Sequence, residues 1–259
     1  MIEKIIHYCW FGGKEKPELA KKCIESWKKF CKGYKLVEWN EQNFDINSNQ
    51  YVKEAYESKK YAFVTDYVRL YALYTEGGIY MDTDVMVLKP LDEYLKHQAF
   101  SGFESKTKIP TGIMASEKGN PLFNELLSYY DTAKFIKEDG TLDMTTNVEI
   151  ITSILSPKGF IPNGKFQIVD GMAFYEQNVF CPLHKKLKNK KYMKDTATIH
   201  YFAGSWKSEA TKKREKSFAW KIVAGPGRLV SKMMRKIFGK KWERAKDKWI
   251  SKKIKDEEK

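Results

Sequence analysis

Cysteine is scarce in this sequence: four residues in 259, Cys9, Cys23, Cys31 and Cys181, none of them in a C-x-x-C pair. So few, so spaced, they argue against a disulfide scaffold and a zinc ribbon and fit a reducing, cytoplasmic setting. No run reaches the roughly 18 consecutive apolar residues that a membrane-spanning helix needs. The opening MIEKIIHYCW carries an early acidic residue and an apolar run too short for a secretory signal, so nothing marks the chain for export. Internal repeats and long Gly/Ser or Pro linkers are missing. The body also shows no recognised nucleic-acid signature, and no nucleic-acid partner is expected.

Apolar and aromatic residues are plentiful, at 42% and 14% of the chain, enough for a sizeable α/β core. The net charge of +14 is unevenly placed. Residues 207–259 hold 19 Lys and Arg against 7 Asp and Glu, a net +12, so the body is nearly neutral. In that segment Val230, Met233, Met234, Ile237, Phe238, Trp242, Ala245 and Trp249 recur at roughly helical spacing among the basic residues. The composition predicts a boundary near Lys207, with a domain over 1–206 and a basic amphipathic helical tail over 207–259. Such a tail suits an anionic membrane surface, through residues 218–255.

Within the body, strand-like and helix-like segments alternate. Lys4 to Trp10 reads as a buried strand followed by a Gly12-Gly13 turn, and Pro17 suits the first turn of a helix carrying Leu19, Cys23, Trp27 and Phe30. Tyr34 to Trp39 alternates as a second strand, and Ala62 to Thr75 reads as a helix ended by Gly77-Gly78. The segments IYMD, VMVLKP, AFSGFE, GIMAS and ATIHYFAG read as strands, and Pro121 to Tyr130 as a helix. This order predicts a mostly parallel twisted sheet with helices on both faces and a ligand at the carboxyl ends of the strands.

Asp82 and Asp84 fall at such an end, in GGIYMDTDVMVLKP. Two carboxylates at i and i+2 of a regular strand share a face about 7 Å apart and repel unless a cation or donor lies between them. Oxygen ligands in an incomplete set favour Mg²⁺ or Mn²⁺, and a solvated turn between short strands is the plainer alternative. The preceding helix, AFVTDYVRLYALYTEGG, is apolar nearly all round, and Asp66 and Arg69 are its only ionised residues before Glu76. Such an i,i+3 pair either satisfies itself or meets a ligand.

The run FVTDYVRLYALYTEGGIYMDTDV, with IHYCWFGG near the start and IHYFAGSW near Tyr201, resembles the sugar transferases of glycosyltransferase family 32 over most of residues 3–206. These are DXD enzymes of capsule and outer-chain glycan synthesis, related in donor site to the large clostridial glucosylating toxins. The resemblance implies a GT-A-like (Rossmann-like) α/β fold and a metal-dependent, retaining transfer from a nucleotide sugar, with UDP favoured and Mn²⁺ or Mg²⁺ as cofactor. It implies a glycan acceptor, which capsule assembly would supply linked to undecaprenyl diphosphate at the inner face of the membrane. By the same resemblance Trp10 stacks on the base, Gly12 and Gly13 admit the nucleotide, and Tyr80 lies near base and ribose. Asp66 and Arg69 meet the sugar hydroxyls and the phosphate region; Asp82 reaches the ribose and the metal, and Asp84 ligates the metal. His200 completes the metal shell, Ser205 and Trp206 cover the diphosphate, and Lys207 is a further phosphate contact. Where the family often has Thr-Gly-Pro, this chain has Thr145-Thr146-Asn147, which leaves Asn147 as a candidate sugar contact.

Other classes fit less of the sequence. A haloacid-dehalogenase-like phosphatase would want Thr or Val where Met86 stands, with its aspartates on the first strand. A catalytically silent nucleotide-sugar-binding protein of the same fold stays open.

Overall fold

The computed structural model describes residues 1–105, 107–109 and 111–204. Ser205, Trp206, Lys207 and the basic segment after them lie outside the described residues. Residues Met1–Phe202 form one compact unit. Its elements in chain order are β1 (Ile5–Cys9), α1 (Glu18–Phe30), β2 (Lys35–Trp39), α2 (Gln50–Glu57), α3 (Tyr61–Glu76), β3 (Gly78–Met81), β4 (Val85–Val87) and β5 (Ala99–Gly102). Then come β6 (Ile113–Ser116), α4 (Pro121–Thr132), α5 (Asn147–Leu155), β7 (Gln167–Val169), β8 (Met172–Tyr175), α6 (Gln177–Phe180), α7 (Lys190–Met193) and β9 (Thr198–His200).

Seven strands make one sheet in the order β2-β1-β3-β6-β5-β8-β7. The pairings β1–β2, β1–β3 and β5–β8 are parallel and the other three antiparallel, so β1, β2, β3, β5 and β8 run one way and β6 and β7 the other. The expected mostly parallel sheet is present, with β6 reversed at its centre. Both faces are covered. Tyr80 of β3 and Met114 of β6 point into the core that holds Val64, Val68, Phe123 and Ile151 of α3, α4 and α5. Ile79 and Met81, with Ile113 and Ala115, point into the opposite core, which holds Ile24 and Trp27 of α1 and Phe180 of α6. Period-2 alternation between two apolar cores explains why these strands read as unbroken hydrophobic runs.

Contacts on both sides of β3 position the turn that leads into β4. Helix α3 stops at Gly77, whose φ of 71° suits a residue without Cβ, and buried His7 binds that turn by a 2.8 Å hydrogen bond from Nε2 to the Gly77 carbonyl. Trp39 Nε1 donates to His7 Nδ1 at 3.0 Å, which assigns the ring proton to Nε2. On the other side, α1 grips β4: Trp27 Nε1 donates to the Val85 carbonyl at 2.7 Å and Val87 N donates to Ser26 Oγ at 2.9 Å. Strand β4 leaves the main sheet and pairs antiparallel with β9, matching Val85 with His200.

Candidate active site

Asp82 and Asp84 lie in a tight turn between β3 and β4 rather than on a regular strand, closed by Val85 N donating to the Asp82 carbonyl at 3.0 Å. The turn replaces the expected strand geometry, and it is half-buried. Because β9 pairs with β4, His200 lands beside it: His200 Nε2 is 3.1 Å from Asp84 Oδ1 and 3.8 Å from Asp82 Oδ2. One ligand atom from each of the three residues falls within 4.8 Å of the others. Burial works to lower the imidazole pKa, but hydrogen bonds to Asp84 and the Cys181 thiol and the charges of both aspartates outweigh it and raise it to about 10.

The two oxygens of Asp82 have separate surroundings. Oδ1 accepts from the Tyr80 hydroxyl at 2.8 Å and lies 3.5 Å from Arg69 Nη2, while Oδ2 faces His200. Arg69, 5% exposed, also pairs with Asp66 Oδ1 at 3.1 Å. Its Nε donates to the Thr65 carbonyl at 3.3 Å, its Nη1 to the Thr111 carbonyl at 2.5 Å, and the guanidinium lies 4.7 Å from the centre of the Tyr80 ring. All three guanidinium nitrogens thus have protein acceptors, and Arg69 ties α3, the DXD turn and the loop before β6 together. Of the two roles open to the Asp66–Arg69 pair from sequence, satisfying itself or meeting a ligand, the structure shows the first and adds a contact of Arg69 with Asp82. Burial raises the Asp66 carboxyl to about 6 against the opposing effect of Arg69, with the Asp82 charge adding to the rise.

Trp10 follows β1, whose parallel register with β3 sets the two strand ends side by side. The indole is half-buried, with Nε1 donating to the Lys14 carbonyl at 2.5 Å and Lys16 Nζ 5.8 Å from the ring centre. Between Trp10 and the charged cluster sits Cys9, a buried thiol whose pKa is raised by burial while Arg69 works against it. Gly12, at φ 89°, packs so closely that a Cβ would come within 2.4 Å of the Tyr61 ring, whereas the space beside Gly13 is open. Asn147 is buried at the start of α5, donating from Nδ2 to the Asp66 carbonyl at 3.2 Å, with no partner for its Oδ1 among the described residues. The site therefore gathers Asp66, Arg69, Tyr80, Asp82, Asp84, His200 and Asn147 directly and sets Trp10 on the neighbouring strand end.

Sequence reasoning missed the loop before β6. Gly112 accepts from Asp82 N at 2.8 Å, and a Cβ there would lie 2.7 Å from His200 Nδ1 and 3.3 Å from Asp82 Oδ2. It also missed Glu104, whose carboxyl burial raises its pKa against the opposing charges of Lys108 and His200, and Phe202, stacked on His200 with ring centres 4.1 Å apart. The glycine in PTGIMAS, just before an apolar strand, is the signal that marks a close backbone approach.

A divalent cation fits this donor set. Two carboxylates and one imidazole converge in a half-buried turn, oxygen donors dominate, and the set is incomplete, which suits Mn²⁺ or Mg²⁺ with positions left for substrate.

Residues 17–101 match the family model described as a glycosyltransferase sugar-binding region containing a DXD motif. The chain is 31% identical over 134 residues to inositol phosphoceramide mannosyltransferase 3 of Schizosaccharomyces pombe, covering 49% of this chain and 36% of that protein. It is 28% identical over 157 residues to the uncharacterized glycosyltransferase L373 of Acanthamoeba polyphaga mimivirus, covering 57% and 61% of the two chains. The chain thus spans between about a third and three fifths of these relatives (36% and 61%). Among solved structures it is similar to the PaToxG glycosyltransferase, with a TM-score of 0.44 and 19% identity over 61% of this chain and 72% of that one. Asp66, Arg69, Tyr80 and the DXD turn all lie inside the matched region, so residues 17–101 carry a glycosyltransferase sugar-binding region containing a DXD motif.

Proposed function

We propose that the chain transfers a sugar from a nucleotide-linked donor, with UDP as the nucleotide, to a glycan acceptor, with retention at the anomeric carbon. The observation that carries the reading is the convergence of the DXD turn, His200 and the Asp66–Arg69 pair. Asp82 Oδ2, Asp84 and His200 would hold Mn²⁺ or Mg²⁺, which when bound neutralises charge growing on a diphosphate leaving group. Tyr80 and Arg69 occupy Asp82 Oδ1 and so fix the carboxylate with Oδ2 turned toward His200. Asp66, held in place by Arg69, supplies a carboxylate for hydroxyls of the donor sugar. Trp10 supplies a flat face for the base, and Ser205, Trp206 and Lys207 are assigned to the diphosphate by resemblance alone.

We place the reaction in cell-surface or capsule polysaccharide assembly, on a lipid-linked acceptor such as one carried by undecaprenyl diphosphate. Two observations support a lipid-borne acceptor. The net +12 over residues 207–259 suits an anionic inner membrane face, and one relative is named for acting on an inositol phosphoceramide. Among the described residues no helix is long and apolar enough to cross a membrane.

The test is incubation with a panel of nucleotide sugars, with Mn²⁺ or with EDTA. Metal-dependent donor hydrolysis is expected for at least one UDP-sugar. Metal-dependent binding without turnover would overturn the transferase in favour of a silent binding protein, and absence of both would overturn the site.

A further inference from the structure

The side chains that ligate metals are ordinarily oriented by a second partner, which for histidine is a hydrogen bond on the ring nitrogen away from the ion. For His200 that device is weak: its Nδ1 is buried with no close hydrogen-bond partner among the described residues, and the Cys181 thiol is a hydrogen-bonding neighbour of the ring. Packing surrounds the imidazole instead. The Nδ1–Cε1 edge lies against the Gly112 backbone, where a Cβ would come within 2.7 Å of both atoms. The Phe202 ring covers one face, with centres 4.1 Å apart and planes 26° from parallel. The His200 carbonyl is held by His184 Nε2 at 3.1 Å.

Phe202 takes this place at a cost. Its φ is 52°, a left-handed conformation that is unfavourable for a bulky residue, and its side chain remains 50% exposed, so core burial does not offset the strain. Backbone strain of this kind persists where the surrounding structure enforces it, and it clusters at functional sites. The only partner of the ring among the aromatic pairs of the described residues is His200.

We infer that Phe202 and Gly112 are positioning residues that clamp the His200 imidazole so that Nε2 is presented, together with Asp82 and Asp84, to a divalent cation. The inference rests on the proposed cation site and deepens it: beyond the weak thiol contact, packing orients the histidine. Neither residue touches the reacting atoms. Gly112 supplies room on one edge, and the Phe202 ring lies against one face and opposes rotation of the imidazole.

Phe202→Gly separates this role from a structural one, because glycine relieves the left-handed strain while removing the ring. The measurement is Mn²⁺ binding to the full chain by calorimetry, beside the thermal midpoint of the metal-free protein. Phe202→Gly is expected to weaken Mn²⁺ binding by about tenfold or more, the scale of outer-shell losses at metal sites, while the metal-free midpoint stays level or rises. Phe202→Tyr, which restores a ring, should return the affinity to within about threefold of the parent on the same scale. Gly112→Ala should weaken Mn²⁺ binding independently. Parent affinity in both Phe202→Gly and Gly112→Ala would overturn the clamp alone, and so would a Phe202→Gly loss accompanied by a lower midpoint. A parent chain that binds no Mn²⁺ would overturn the cation site and the clamp with it.

Discussion

Replacing Arg69 by Met should unfold the donor site from within. The thioether fills the volume of the aliphatic stem but provides none of the donors that Arg69 directs to Asp66, Asp82 and the carbonyls of Thr65 and Thr111. At 5% exposure the arginine leaves behind carboxylates that water does not reach freely. Removing one partner of a buried ion pair costs about 3–5 kcal/mol, and this arginine serves two carboxylates. For a domain of this size each kcal/mol lowers the thermal midpoint by about 2–4 °C, so a fall on the order of 6–20 °C is expected. The loss should depend on pH through Asp66. Its carboxyl already titrates at about 6 in the folded chain, above its ordinary value of 3.8. The folded state therefore binds the proton more tightly than the unfolded state does, and stability drawn from this group falls as pH rises from 3.8 through 6. Without Arg69 that penalty grows, so Arg69→Met should be hurt more at pH 8 than at pH 5, and Asp66→Asn should recover part of it. Urea unfolding followed by tryptophan fluorescence at both pH values is the assay. A loss below about 1 kcal/mol, the level of an exposed pair, would refute the reasoning, as would equal losses at both pH values.

Trp10→Ala should weaken UDP binding by about 1–3 kcal/mol, the worth of one base stacked on an aromatic ring; unchanged affinity in calorimetry would return Trp10 to a packing role. Truncation after Ser217 should abolish sedimentation with anionic liposomes at low salt while leaving metal-dependent donor hydrolysis in place, each basic residue near such a surface contributing about 1 kcal/mol. A truncated chain that still sediments would contradict membrane attachment through the basic segment.

The parts of the site that are legible in the sequence are those whose signal is local. The α3 helix is legible because its nearly all-apolar run is too long for a buried strand and Gly77 stops it, and the Asp82–Asp84 doublet because two carboxylates interrupt an apolar run. The turn that holds the doublet reads as strand, since a three-residue break between β3 and β4 leaves the hydrophobic pattern nearly intact. His200 is reachable only by resemblance: its meeting with Asp84 depends on β9 pairing with β4, a contact between residues more than a hundred positions apart. Gly112 and Thr111 are hidden because their contacts with Asp82, His200 and Arg69 arise where loops converge in space, and Phe202 because nothing in a bare sequence marks its left-handed backbone. Helix α5 escapes the sequence reading although its start carries a capping box, Thr146 reciprocating with Glu149, at the very residues that depart from the family pattern. Its consequence is that Asn147 sits buried against Asp66, an arrangement composition alone does not suggest.

The proposed sugar transfer turns on Asp82, Asp84 and His200 forming one cation site. Asp84→Asn keeps the shape of the side chain and removes a charged ligand 3.1 Å from His200 Nε2. Donor hydrolysis measured against Mn²⁺ concentration, with a thermal unfolding control, is the direct measurement. Saturable dependence on Mn²⁺ is expected in the parent chain, with a fall of about 100-fold or more in Asp84→Asn at an unchanged unfolding midpoint. Parent-level hydrolysis in Asp84→Asn with the metal requirement intact would contradict the assignment.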